Sequence, residues 1–98
     1  MTLQKDPERN EIKFLRKYVD LTGKRVLEIG CGEGRLTWQY AKLTSSTVAI
    51  DPDRDSLCVA RVDRPYDLET RVHLVRADSQ SMPLPKEKFD IAILAWSL

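Results

Sequence analysis

The chain has 98 residues, of which 42% are hydrophobic, 7% aromatic and 32% charged, with a net charge of +1. That mixture fits one soluble globular domain rather than a disordered tail, and the even charge balance argues against a dedicated nucleic-acid binder. The longest apolar run, Ile91–Trp96, falls far short of the roughly 20 residues of a membrane helix. The N-terminus lacks the apolar segment of a signal peptide. Two cysteines, Cys31 and Cys58, are too few for a disulfide framework and read as free thiols, so a cytoplasmic protein is expected.

In chain order, the first expected element is a helix over about Pro7–Val19. Asp6 suits its N-cap and Pro7 its first turn, while Ile12, Leu15 and Val19 recur at helical spacing. Lys5, Arg9, Lys13, Arg16 and Lys17 share the other face, which is read as a solvated surface rather than a docking stripe.

Arg25–Ile29 is a short apolar run followed at once by glycines, the pattern of a buried parallel strand. A helix over Arg35–Leu43 follows, then a second strand over Thr47–Ile50. Next come a helix over Asp53–Val62, capped by Asp53, and a third strand over Val72–Val75. Met82–Pro85 contains two prolines and reads as a loop. Phe89–Ala95 is a fourth, strongly apolar strand. Strands alternating with helices imply an α/β, Rossmann-like, mostly parallel sheet with flanking helices. Ligands of such sheets bind beyond the carboxyl ends of the strands.

Three residue groups fall at that edge. Glu28-Ile-Gly30-Cys31-Gly32-Glu-Gly34 follows the first strand, and glycines at alternate positions let a ligand approach the backbone closely. Arg35 stands where a dinucleotide fingerprint has its third glycine, and no Gly-Lys-Ser/Thr phosphate loop is present. Asp51 ends the second strand, where a carboxylate can accept two hydrogen bonds from ribose hydroxyls or cap the next helix. Asp78 ends the third strand, where it can accept a bond from an exocyclic amine or serve as turn chemistry. Three successive strands each ending in a plausible adenosine contact make a joint signal stronger than any one of them.

The segments VLEIGCGEG, AIDPD and RADSQSMPLPKEKFDIAILAWSL resemble a class I S-adenosylmethionine-dependent methyltransferase. The branch that they resemble most is the small-molecule one that includes ubiquinone/menaquinone-biosynthesis-like enzymes. The resemblance spans Gly23–Leu98. It implies strand order 3-2-1-4 and S-adenosylmethionine as cofactor, with S-adenosylhomocysteine as product. By this likeness Glu28 and the Gly30-Cys31-Gly32-Gly34 loop lie beside the methionine part of the cofactor. Asp51 takes the ribose hydroxyls, Pro52 and Asp53 flank the adenine, and Asp78 and Ser79 meet its amino edge. Ala95 and Trp96 lie near the transferable methyl.

Residues 1–98 are accordingly expected to form a single cofactor-binding domain, with residues 1–22 holding the N-terminal helix and 23–98 the Rossmann-like core. Such enzymes continue past the fourth strand, so the chain reads as truncated there, without the half that supplies the acceptor pocket and any catalytic base. No catalytic residue is assigned. His73, mid-strand, is read as structural, Cys58 as ordinary helix packing, and no metal site is expected. With the order 3-2-1-4, Phe89–Ala95 would be an exposed apolar edge, open to a second copy or a partner chain. The function expected is methyl transfer to a small-molecule acceptor. The alternatives are a non-catalytic cofactor-binding or regulatory module and, less favoured, an NAD(P)-binding oxidoreductase fragment.

Overall fold

A computed structural model describes residues 2–4, 20–78 and 88–95. The helix expected over Pro7–Val19, the Met82–Pro85 loop, Ser79 and Trp96 lie outside the described residues. The elements are β1 (Thr2–Gln4), β2 (Arg25–Ile29), α1 (Arg35–Tyr40), β3 (Ser46–Asp51), α2 (Arg54–Asp63), β4 (Val72–Arg76) and β5 (Ile91–Leu94). They build one five-stranded sheet in the order β1-β5-β2-β3-β4, and every pairing is parallel. The four expected strands therefore lie in the expected order 3-2-1-4.

One expectation is overturned. The apolar strand Ile91–Leu94 is not an edge, because Thr2–Gln4 pairs along it, with Thr2 opposite Ala92 and Gln4 opposite Leu94. A three-residue strand carries too little periodicity to be recognised in the sequence, so the pairing that covers β5 was not legible.

Alternation along the central strands divides the core. Val26 packs with Leu36 and Tyr40 of α1 and with Ile91 and Ile93 of β5. Leu27 and Ile29 point to the opposite face with Ile50, against Phe89, Ala77 and Leu94. β2 is buried along four of its five residues, as a parallel strand between two others should be. β4, the outer strand on its side, buries only Val72 and leaves His73 and Arg76 exposed. Trp38 and Ala41, at the end of α1, join Leu68, Val72 and Leu74 on the α1 side of the sheet.

The helix expected over Arg35–Leu43 is α-helical only to Tyr40 and finishes as a 3₁₀ turn over Ala41–Leu43. Thr44 supplies the reason. Its amide (3.1 Å) and its hydroxyl (2.8 Å) both donate to the Ala41 carbonyl, tightening the last turn.

At the amino edge, Arg25 and Asp90 clasp the starts of β2 and β5. Asp90 Oδ2 accepts from the Arg25 amide at 2.9 Å and from its Nε at 3.2 Å, and Oδ1 accepts from Nη2 at 3.1 Å. The Asp90 amide donates back to the Arg25 carbonyl at 2.8 Å. The Arg25 guanidinium and then its amide hold the Asp90 carboxyl down at about 2, against an ordinary 3.8. A depressed folded-state value stabilises the fold above the ordinary value, and that contribution fades as pH falls from 3.8 towards about 2. An acid titration followed by circular dichroism should therefore show Asp90→Asn losing less stability than the parent across that window. Parallel curves would remove the clasp from the acid response.

Candidate functional site at the carboxyl edge

The sheet reverses its winding at β2: β3 and β4 lie to one side, and β5, the next strand in the chain, lies on the other. The crevice above the carboxyl ends of β2 and β5 is thus the switch point, the place where open α/β sheets hold ligands. The loop from Gly30 to Gly34 leaves β2 there and is fastened to the end of β3. The amides of Gly30 (2.9 Å) and Cys31 (3.0 Å) both donate to the Ile50 carbonyl. The Gly32 amide donates to Asp51 Oδ2 at 2.9 Å.

Asp51 is bonded on both oxygens, since Oδ1 accepts from the Asp53 amide at 2.8 Å. A carboxylate has about four acceptor sites, so two backbone bonds fix its orientation and leave lone pairs for a ligand. The helix-cap reading falls to Asp53, which caps α2, while Asp51 shapes the turn after β3 and keeps acceptor capacity at the edge. Asp53 divides differently. Its side chain caps α2, accepting from the Asp55 amide at 3.3 Å and the Ser56 hydroxyl at 2.7 Å. Those bonds, the Ser56 hydroxyl first, hold its carboxyl below the usual range. Pro52 beside it is exposed, and its carbonyl accepts from Arg76 Nε at 3.2 Å.

The glycines also separate by role. Gly32 has φ +57°, and a side chain there would meet nothing within 4 Å, so its backbone is open to approach. Gly34 has φ +86°, and an added Cβ would lie 2.6 Å from the Trp38 indole. The third glycine therefore makes room for the protein's own tryptophan rather than for a ligand.

Glu28 is wholly buried. Its Oε1 accepts from the Thr37 hydroxyl at 2.8 Å and the Tyr40 hydroxyl at 2.5 Å, which ties α1 to β2 directly beneath the glycine loop. Burial, then the adjoining Glu28 carboxylate, pushes the Tyr40 phenol well above its usual range. Burial likewise pushes the Cys31 thiol up to about 12, with Glu28 and Asp51 adding to the effect, so it stays neutral and unreactive. Ala95 is buried with Val26 and Ile93, and its amide donates to the Ile29 carbonyl at 2.8 Å. Asp78 is exposed two residues beyond β4.

The structure thus gathers the Gly30–Gly34 loop, Asp51, Pro52 and Asp53 into one connected edge. It places Glu28 and the Ala95 side chain beneath that edge, within the packed interior. His73 stands mid-strand opposite Val48, away from the edge. Cys58 corrects an expectation: it is exposed rather than packed, because α2 fully buries only Ala60. Among the described residues, no group of three or more His, Cys, Asp or Glu could hold a metal ion. Sequence reasoning missed Thr37 and Tyr40 as partners of Glu28. Their spacing of nine and twelve residues from it places both on one face of α1, a signal that was present but unread.

Two stability measurements check this division of roles. Tyr40→Phe removes a donor to the buried Glu28 carboxylate and should cost about 1–3 kcal/mol in urea unfolding; a neutral outcome would mean that Tyr40 only fills space. Gly32→Ala should cost about 1–2 kcal/mol of left-handed strain. Gly34→Ala should cost about 1–3 kcal/mol more, because the indole must also move. Equal losses at the two glycines would refute the Trp38 contact.

With this geometry in hand, likeness to known proteins is informative. Residues 26–98 match the family model described as a methyltransferase domain. The chain is 33% identical over 82 residues to the ubiquinone biosynthesis O-methyltransferase of Hydrogenovibrio crunogenus, covering 82% of this chain and 33% of that protein. It is 38% identical over 82 residues to the ubiquinone/menaquinone biosynthesis C-methyltransferase UbiE of Pseudomonas savastanoi pv. phaseolicola, covering 79% of this chain and 32% of that protein. Among solved structures, an S-adenosylmethionine-dependent methyltransferase from Mesorhizobium loti superposes with a TM-score of 0.71 at 29% identity, covering 86% of this chain and 38% of that one. The chain spans about a third of the length of the curated relatives that it matches. On the matched span and the shared sheet, the chain belongs to the methyltransferase-domain family.

Proposed function

We propose that this chain is the S-adenosylmethionine-binding portion of a methyltransferase that acts on a small-molecule acceptor. The observation that carries the reading is the Asp51 carboxylate, held by the Gly32 and Asp53 amides at the end of β3 with acceptor capacity to spare. An acid so placed suits a ribose diol, whose two hydroxyls are both donors. The open backbone at Gly32 suits the close approach of the cofactor's methionine part. No cluster of donors for a phosphate accompanies them: Arg35 opens α1 where a dinucleotide fingerprint needs glycine. The cofactor fits this edge because it carries no phosphate and brings positive charge towards acidic groups. The oxidoreductase alternative gains nothing from the geometry, and no observation favours a purely regulatory module.

In this reading Gly30, Cys31 and Gly32 border the methionine part, Gly34 makes room for Trp38 instead, and Asp51 fixes the ribose. Pro52 and Asp53 flank the adenine, Asp78 and Ser79 meet its amino edge, and Ala95 and Trp96 line the approach to the methyl group. Glu28 contributes by holding α1 and the loop in place. When bound, S-adenosylmethionine supplies a methyl group already activated by a sulfonium, so binding and orientation account for most of what the protein must do. Cys31, neutral to about 12, takes no part as a nucleophile. The names of the quinone-biosynthesis relatives support a small acceptor, and the two free thiols fit a reducing compartment such as the cytoplasm.

Titration calorimetry tests the assignment. Asp51→Ala should weaken S-adenosylmethionine binding by about 1.5–3 kcal/mol, the cost of charge-assisted hydrogen bonds. Asp51→Asn should also weaken it, because one amide hydrogen would face a backbone N–H. NAD should not bind the parent. Unchanged affinity in a folded Asp51 variant would defeat the ribose assignment.

A further inference from the structure

A second concave site lies outside the carboxyl-edge crevice. Arg54, Leu57, Cys58 and Arg61 recur on α2 at the spacing of one helix face, and Leu74 and Arg76 alternate onto the same side of β4. Together they line a cavity of about 260 Å³ between the helix and the outer strand. Leu57 and Leu74 supply apolar lining, and three guanidinium groups surround it.

The charges are the informative part. Arg54 and Arg61 have no hydrogen bond or ion pair among the described residues. Among the described residues Arg76 gives only its Nε, to the Pro52 carbonyl, leaving four of its five donors uncommitted there. Arg76 lies within electrostatic reach of Asp53, already engaged by Asp55 and Ser56, and opposite Asp51, whose oxygens take the Gly32 and Asp53 amides. Three like charges around one hollow repel one another unless an anion joins them. Because α2 runs back from the carboxyl edge, Arg54 lies near the Arg76 end of the hollow, and Arg61 lies two helical turns away, about 10 Å along the axis.

We propose that this cavity binds a small organic anion, a phosphate monoester with a flat apolar body. The phosphate sits between the Arg54 and Arg76 guanidiniums, whose planar forks match its oxygens. The body lies on Leu57 and Leu74, and Arg61 closes the far end. This site is separate from the one read as binding S-adenosylmethionine, and it does not depend on that reading.

Cys58 provides the readout, since it is exposed and lines the cavity whereas Cys31 is buried and stays protonated to about 12. The test is the rate of Cys58 alkylation by iodoacetamide, a neutral reagent, with phenyl phosphate as the probe and peptide mass spectrometry to locate the label. Phenyl phosphate should slow the labelling, and Arg54→Gln and Arg76→Gln should each raise the concentration needed by about tenfold. No protection at concentrations on the order of 10 mM, or equal protection in the variants, would overturn the site. Inorganic phosphate protecting as well as phenyl phosphate would overturn the organic body and leave only a generic anion contact.

Discussion

Both oxygens of the Asp51 carboxylate are claimed by backbone amides, one from the loop after β2 and one from the turn after β3. With the Ile50 carbonyl, which takes the Gly30 and Cys31 amides, this side chain joins the loop after β2 to the end of β3. The loop cannot lift away from β3 without leaving the Gly32 amide or a carboxylate oxygen unsatisfied, which is costly away from water. The conformation of the glycine loop, the start of α2 and the orientation of the Asp51 carboxylate are therefore one linked arrangement. Beneath it, Glu28 does the same for α1, holding Thr37 and Tyr40 from inside the core. The edge is thus held in place by two acids, one at the end of β3 and one sealed in.

Sealing Glu28 inside has a chemical consequence for its neighbours. A buried carboxylate raises the cost of any further negative charge nearby, and both Tyr40 and Cys31 feel it. The region below the loop is therefore chemically quiet. Cys31 is set among three glycines at the end of a strand. Its surroundings make it inert, and the exposed thiol is the one on α2.

Much of the architecture was legible because parallel strands announce themselves. Arg25–Ile29 and Ile91–Leu94 are near-continuous apolar runs, and each is flanked on both sides by other strands. The glycine spacing and Asp51 were readable for the same local reason: their chemistry lies within a few residues of a strand end. What escaped detection depended on distant pairing. Thr2–Gln4 has no pattern of its own, and its partner lies at the other end of the chain. Gly34 looked like a ligand glycine because the sequence does not show that the Trp38 ring folds back over it. Cys58 looked like core because helical spacing gives the periodicity of a face but not which way that face turns when only one residue on α2 is fully buried.

The pairing of Thr2 with Ala92 also bears on the order of assembly. These partners stand ninety positions apart, so closing them carries the largest chain-entropy cost of any contact in the sheet. β2, β3 and β4 can pair as each emerges, whereas β5 must first find β2 before β1 has anything to join. β5 is thus inserted between a neighbour already paired and one that lies ninety positions earlier in the chain. High contact order of this kind slows folding and leaves the strand exposed in the interval. The native sheet protects β5 on both sides, and the hazard belongs to the minutes or milliseconds before the first residues close over it.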